Sequence, residues 1–125
     1  MIIFGIDPGS HATGYGIIED ASGRLSLVHC GTILTSSGDT LPQRVRTIFE
    51  QLTELVTKYK PDEMAVEDLF NAKNARSSLI LGHARGVALL SGAMADITVD
   101  EYAPREVKKA LTGNGAATKE QVKFM

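Results

Sequence analysis

Cysteine is nearly absent: Cys30 is the one thiol among 125 residues. That excludes a disulfide framework and a cysteine-rich zinc site, and it fits a reducing compartment. No stretch approaches the roughly 18 uninterrupted apolar residues of a membrane helix. The start lacks the charged segment, apolar run and cleavage site of a signal peptide. The expectation is a soluble cytoplasmic protein with no membrane partner. There is no internal repeat, linker or low-complexity run, and the length suits a single domain over residues 1–125. His11, His29 and His83 are scattered without metal-ligand spacing. Acids are also absent from one long segment. Between Leu69 and Ala95 there is none, while Lys73, Arg76 and Arg85 are present. From Ala103 to Met125, Arg105, Lys108, Lys109, Lys119 and Lys123 stand against Glu106 and Glu120. A net charge of −2 speaks mildly against a nucleic-acid partner. Its uneven distribution still leaves basic surface that could hold phosphates.

What is present begins with the opening strand, Ile2-Ile3-Phe4-Gly5-Ile6-Asp7, which runs into Pro8-Gly9-Ser10. Ile2, Phe4 and Ile6 share one face and Ile3 and Gly5 the other, as in a central strand with two apolar faces. Met64-Ala65-Val66-Glu67 ends on an acid in the same way. Ligands in open α/β sheets gather at the C-terminal edge of the strands. Two carboxylates there suit a hard divalent cation held together with substrate phosphate. Equally, each acid could simply end its strand in water.

Gly14 to Ile18 reads as a second strand, Ser22-Gly23 as a turn and Leu25 to Leu34 as a third strand, giving an antiparallel meander. Thr40 and Gln43 have the form of a capping box. Leu41, Val45, Ile48, Leu52, Leu55 and Tyr59 then recur at helical spacing. Asn74 to Ala95 forms a second long helix whose apolar residues cover two faces, with Gly82, Gly86 and Gly92 among them. Such a helix has two partners, the sheet and a second subunit. Ile97-Thr98-Val99 is a fifth strand. Pro104 opens a short helix, and Thr118 begins another. Cys30, in mid-strand, is expected in the core. Phe70 either packs at a strand–helix junction or stacks on an unpaired base, worth about 1–3 kcal/mol. Lys108, Lys109 and Lys119 either lie on solvated surface or contact phosphate, and the helix opened by Thr118 could favour an anion at its N-terminus.

Together these segments resemble the RuvC family of Holliday junction resolvases. The resemblance rests on Gly5-Ile6-Asp7-Pro8-Gly9-Ser10, Thr13-Gly14-Tyr15-Gly16 and Val66-Glu67. Phe70-Asn71-Ala72-Lys73-Asn74, Leu81 to Ala88 and Tyr102 to Lys108 follow in the family's order. It implies a ribonuclease H-like α/β fold: a five-stranded mixed sheet with strands four and five parallel to strand one, flanked by helices. It further implies Mg²⁺-dependent cutting of four-way DNA junctions in recombination and repair, with Mn²⁺ able to substitute. Asp7 and Glu67 would be catalytic metal ligands, and Phe70, Lys73, Arg76, Lys108 and Lys119 DNA contacts. The helix at 74–95 would form a homodimer, and a branch-migration motor complex would be a partner. The family carries two further acids in a segment like Asp-Ala-Ala-Asp-Ala, which nothing before Met125 matches. The expectation is a nuclease domain with half its acidic ligands and a truncated final helix.

Two other readings compete. One is a non-catalytic dimer module that binds junction DNA. The other is an ATPase of the actin and sugar-kinase superfamily, which also opens with a strand, an Asp and a glycine turn. That fold needs a second lobe to close over nucleotide, and 125 residues do not supply one.

Overall fold

Strand β1 (Ile2–Asp7) sits at the centre of the sheet because both of its faces are apolar enough to be covered. The computed structural model describes residues 1–68 and 75–102. On one side β1 pairs antiparallel with β2 (Ala12–Ala21), which pairs antiparallel with β3 (Arg24–Leu34). On the other it pairs parallel with β4 (Glu63–Glu67), which pairs parallel with β5 (Thr98–Tyr102). The order is β3-β2-β1-β4-β5. The expected five-stranded mixed sheet, with its meander and its parallel strands four and five, is the observed one.

Helix α1 (Leu41–Tyr59) begins at Thr40, and the capping box closes in both directions. Gln43 N–H donates to Thr40 Oγ1 at 3.4 Å, and Thr40 N–H donates to Gln43 Oε1 at 2.9 Å. The helix ends on Lys60 in the left-handed region, φ 47°. It buries Ile48, Leu52 and Val56, which pack with Phe4, Ile6, Ile17, Ile33, Met64 and Val66. Helix α2 (Ala75–Met94) contributes Ala84 and Ala88 to the same core and packs beside α1. Gly92 brings α2 down onto the sheet, since a Cβ there would meet Val99 Cγ2 at 2.5 Å and Met64 Sδ at 2.9 Å.

The residues these helices bury all lie on one side of the sheet. Phe4, Ile6, Ile17, Met64 and Val66 face them. The opposite side carries Ile3, Gly5 and Asp7 from β1 with their partners Ile18, Gly16 and Gly14. Leu27, Cys30 and Thr32 extend it on β3, and Glu63, Ala65 and Glu67 on β4. Among the described residues no helix covers this second face.

Two expectations change. Cys30 is exposed, not in the core, because it pairs with Gly16 and points to the open face of an edge strand. The fifth strand is Thr98–Tyr102, later than Ile97–Val99. The helices expected from Pro104 and Thr118 lie outside the described residues.

Candidate active site

The acids reach the site through strand register. Ile6 lies opposite Val66 in the parallel pair, so Asp7 and Glu67 are the next residue on each strand. Both side chains then project from the open face, at the C-terminal edge. Neighbouring strands run about 4.8 Å apart, so the two carboxylates emerge side by side. Gly14 lies opposite Asp7, and a Cβ on it would stand 3.8 Å from the Asp7 Cβ. The floor around the acids is therefore made of Gly5, Gly14, Gly16 and Ala65. It leaves space above the strands that larger side chains would fill.

The loop after Asp7 is fixed from beneath. Thr13 is fully buried. Its hydroxyl donates to the Gly9 carbonyl at 2.8 Å and accepts from Gly9 N–H at 3.2 Å. One side chain thus satisfies both polar groups of one residue. The Thr35 hydroxyl donates to the Ser10 carbonyl at 2.6 Å, and Thr35 N–H donates to the His11 carbonyl at 3.0 Å. Gly9 also needs its missing side chain, because a Cβ would collide with the Ala12 carbonyl oxygen. Sequence reasoning named Thr13 as part of a motif but gave it no role. Its burial next to a glycine turn is the signal that reveals one.

The exit of β4 is fixed from the side. Asp68 N–H donates to the Tyr102 carbonyl at 2.6 Å. Arg85 on α2 forms ion pairs with Asp68, at 3.3 Å, and with Glu101. The sequence counts Arg85 among the basic residues that could hold phosphate, but here it is largely shielded and engaged by two carboxylates; Glu101 carries no site signal in the sequence. Contacts sixteen or more residues apart across a helix and two strands leave no local pattern.

Helix α2 runs antiparallel to β4 and β5. Arg85 meets the strand ends, whereas Gly92 meets Met64 and Val99 further back. At 1.5 Å per residue, the helix from Arg85 back to Arg76 extends roughly 14 Å past that level. Arg76 is exposed on this overhang. The structure thus brings Asp7 and Glu67 together and puts Arg76 on a wall beyond the same edge. Phe70, Lys73, Lys108 and Lys119 lie outside the described residues. Among the described residues no group of three or more His, Cys, Asp or Glu could hold a metal ion.

Residues 3–125 match the family model described as crossover junction endodeoxyribonuclease RuvC. The chain belongs to the RuvC family. It is 47% identical over 125 residues to the crossover junction endodeoxyribonuclease RuvC of Desulforamulus reducens, covering all of this chain and 77% of that protein. It is 48% identical to the RuvC of Pelobacter propionicus, again over the whole chain and over 71% of the relative. Among solved structures, Thermus thermophilus RuvC in complex with a Holliday junction substrate superposes with a TM-score of 0.89 at 31% identity. That match covers 99% of this chain and 76% of the other. The fold is therefore ribonuclease H-like, and the family is one of Holliday junction resolvases. Membership supports the enzyme assignment, a crossover junction endodeoxyribonuclease, for the chain's family. No described helix is long and apolar enough to cross a membrane.

Proposed function

We propose that this chain is a structure-selective endonuclease domain, spanning residues 1–125, that recognises four-way DNA junctions in recombination and repair. The observation that carries this is the in-register pair Asp7 and Glu67 on the open face of adjacent parallel strands. The pair fits a hard cation, Mg²⁺ with Mn²⁺ as substitute. Such ions accept one or two protein carboxylates and fill their other positions with water and phosphate oxygen. When bound, the cation supplies a lowered water pKa and neutralises charge on the phosphate. Asp7 and Glu67 hold it, the glycine floor lets a phosphodiester approach, and the Thr13 and Thr35 hydrogen bonds keep the Asp7 loop still. No acylated or phosphorylated side chain is needed.

Arg76, with Lys73, Lys108, Lys119 and Phe70, is assigned to the DNA. The overhang of α2 supports this for Arg76. The RuvC of Thermus thermophilus with its bound junction supports the class of substrate. A homodimer through α2 is supported by its outer surface. Leu79, His83, Gly86, Leu90 and Met94 are exposed at spacings of three and four, forming one stripe opposite the buried Ala84, Ala88 and Ser91. A Cβ on Gly86 would meet nothing within 4 Å, so a second helix has room to come close. A branch-migration motor and a cytoplasmic location follow from the family resemblance.

A second reading is a non-catalytic junction-binding dimer. It is favoured by the small donor set, two paired acids and no cluster of three among the described residues. A synthetic four-way junction with Mg²⁺ separates the readings. Symmetric cleavage that Asp7→Asn abolishes supports the nuclease. Junction-selective binding without cleavage, unchanged in Asp7→Asn, supports the binding module. Equal affinity for the junction and for linear duplex would sink both.

A further inference from the structure

We infer that Arg85 is a positioning residue for Glu67: it locks the exits of β4 and β5 together and so fixes where the Glu67 carboxylate stands beside Asp7. The inference rests on the metal-site reading above. Glu67 is the last residue of β4, and strand ends fray unless something holds them. Here two ties cross from β4 to β5 directly after it. One is the backbone bond from Asp68 to Tyr102, 2.6 Å. The other is the guanidinium, whose Nη2 contacts both Asp68 Oδ1 and Glu101 Oε1.

The anchor of this second tie is rigid. Arg85 lies between Ala84 and Ala88, both in the core, and two turns before Gly92, where α2 touches the sheet. Its side chain is 15% exposed, against 50% for Asp68 and 49% for Glu101. A cation this shielded is costly to leave unpaired, which keeps the two carboxylates beside it. Its Nε is buried and finds no acceptor among the described residues. Among those residues, Asp68 and Glu101 are therefore its charge partners. A planar guanidinium can bridge two carboxylates in one plane, a geometry the point charge of lysine does not reproduce.

The test reads cation binding without turnover. Mn²⁺ is titrated into the ¹⁵N-labelled chain, and paramagnetic broadening is followed at the amides around Asp7 and Glu67. In Arg85→Met the half-effect should require about tenfold more Mn²⁺, the usual cost of losing a residue that orients a metal ligand. The double variant Arg85→Met/Glu101→Met replaces the pair by apolar groups and should regain thermal stability but not Mn²⁺ affinity. A residue with a merely structural role would regain both. If Arg85→Met fails to fold, Arg85→Lys takes its place, with a shift in the same direction. Unchanged Mn²⁺ dependence in the variants, beside localised broadening in the parent, would overturn this inference alone. No localised broadening in the parent would remove the metal-site reading and this inference with it.

Discussion

Thr13 shows how much one buried hydroxyl can hold. Replacing it by valine keeps the shape and leaves the Gly9 amide and carbonyl without their partner. The expected loss is about 1–3 kcal/mol, read as a lower melting temperature, and Thr13→Ser should recover most of it. Tyr15 is another polar side chain set into the helix-covered face. Its ring stacks on Phe4 with centroids 5.8 Å apart, and its hydroxyl lies 3.1 Å from His29 Nε2. His29 in turn stacks on Tyr59 of α1. Burial, then the nearby Tyr59, pushes the Tyr15 hydroxyl above its ordinary 10.0. The neutral phenol is thus favoured in the folded state. Its contribution is complete below the unfolded value and is lost as pH rises through the higher native one. Stability should fall above about pH 10, and Tyr15→Phe should flatten that part of the pH–melting curve. Gly31 belongs to the same arrangement, because a Cβ there would stand 2.7 Å from the Tyr15 hydroxyl.

Among the elements, α2 has the most demanding placement. Gly92→Ala would put a methyl group against Val99 and Met64, forcing the helix off the sheet. The expected cost is about 1–3 kcal/mol in chemical denaturation. The elements themselves were readable where periodicity and caps agree, as in α1, whose Thr40–Gln43 box and apolar spacing match the observed Leu41–Tyr59. The two acids were readable because each ends an apolar strand. Cys30 was not, since alternation along a strand says which residues share a face but not which face is covered. The register shift between Ile17 and Ile18 further interrupts alternation across β3. Strand β5 was misplaced because Asp100 and Glu101 do not look like strand residues. Glu101 is accommodated there by Arg85, a partner sixteen residues earlier that no local pattern announces.

At the scale of the molecule, the described residues form two layers, helices on one side of the sheet and acids on the other. In the proposed function each layer serves a different outward contact: the stripe on helix α2 a second copy, and the strand ends a cation and DNA. Leu90→Glu places a charge in the middle of that stripe. On the proposed dimer, sedimentation velocity should show the variant as a monomer and the parent at twice that mass, with the far-ultraviolet circular dichroism unchanged; a monomeric parent would overturn the dimer. The division also gives the chain a built-in spectroscopic handle. Cys30 lies on β3, two strands from Asp7 and on the same side, about 12 Å away by strand spacing and rise. As the one thiol of the sequence, it can take a maleimide dye or a spin label without prior mutagenesis. Such a probe would sit within energy-transfer or dipolar range of anything that settles on the acidic edge.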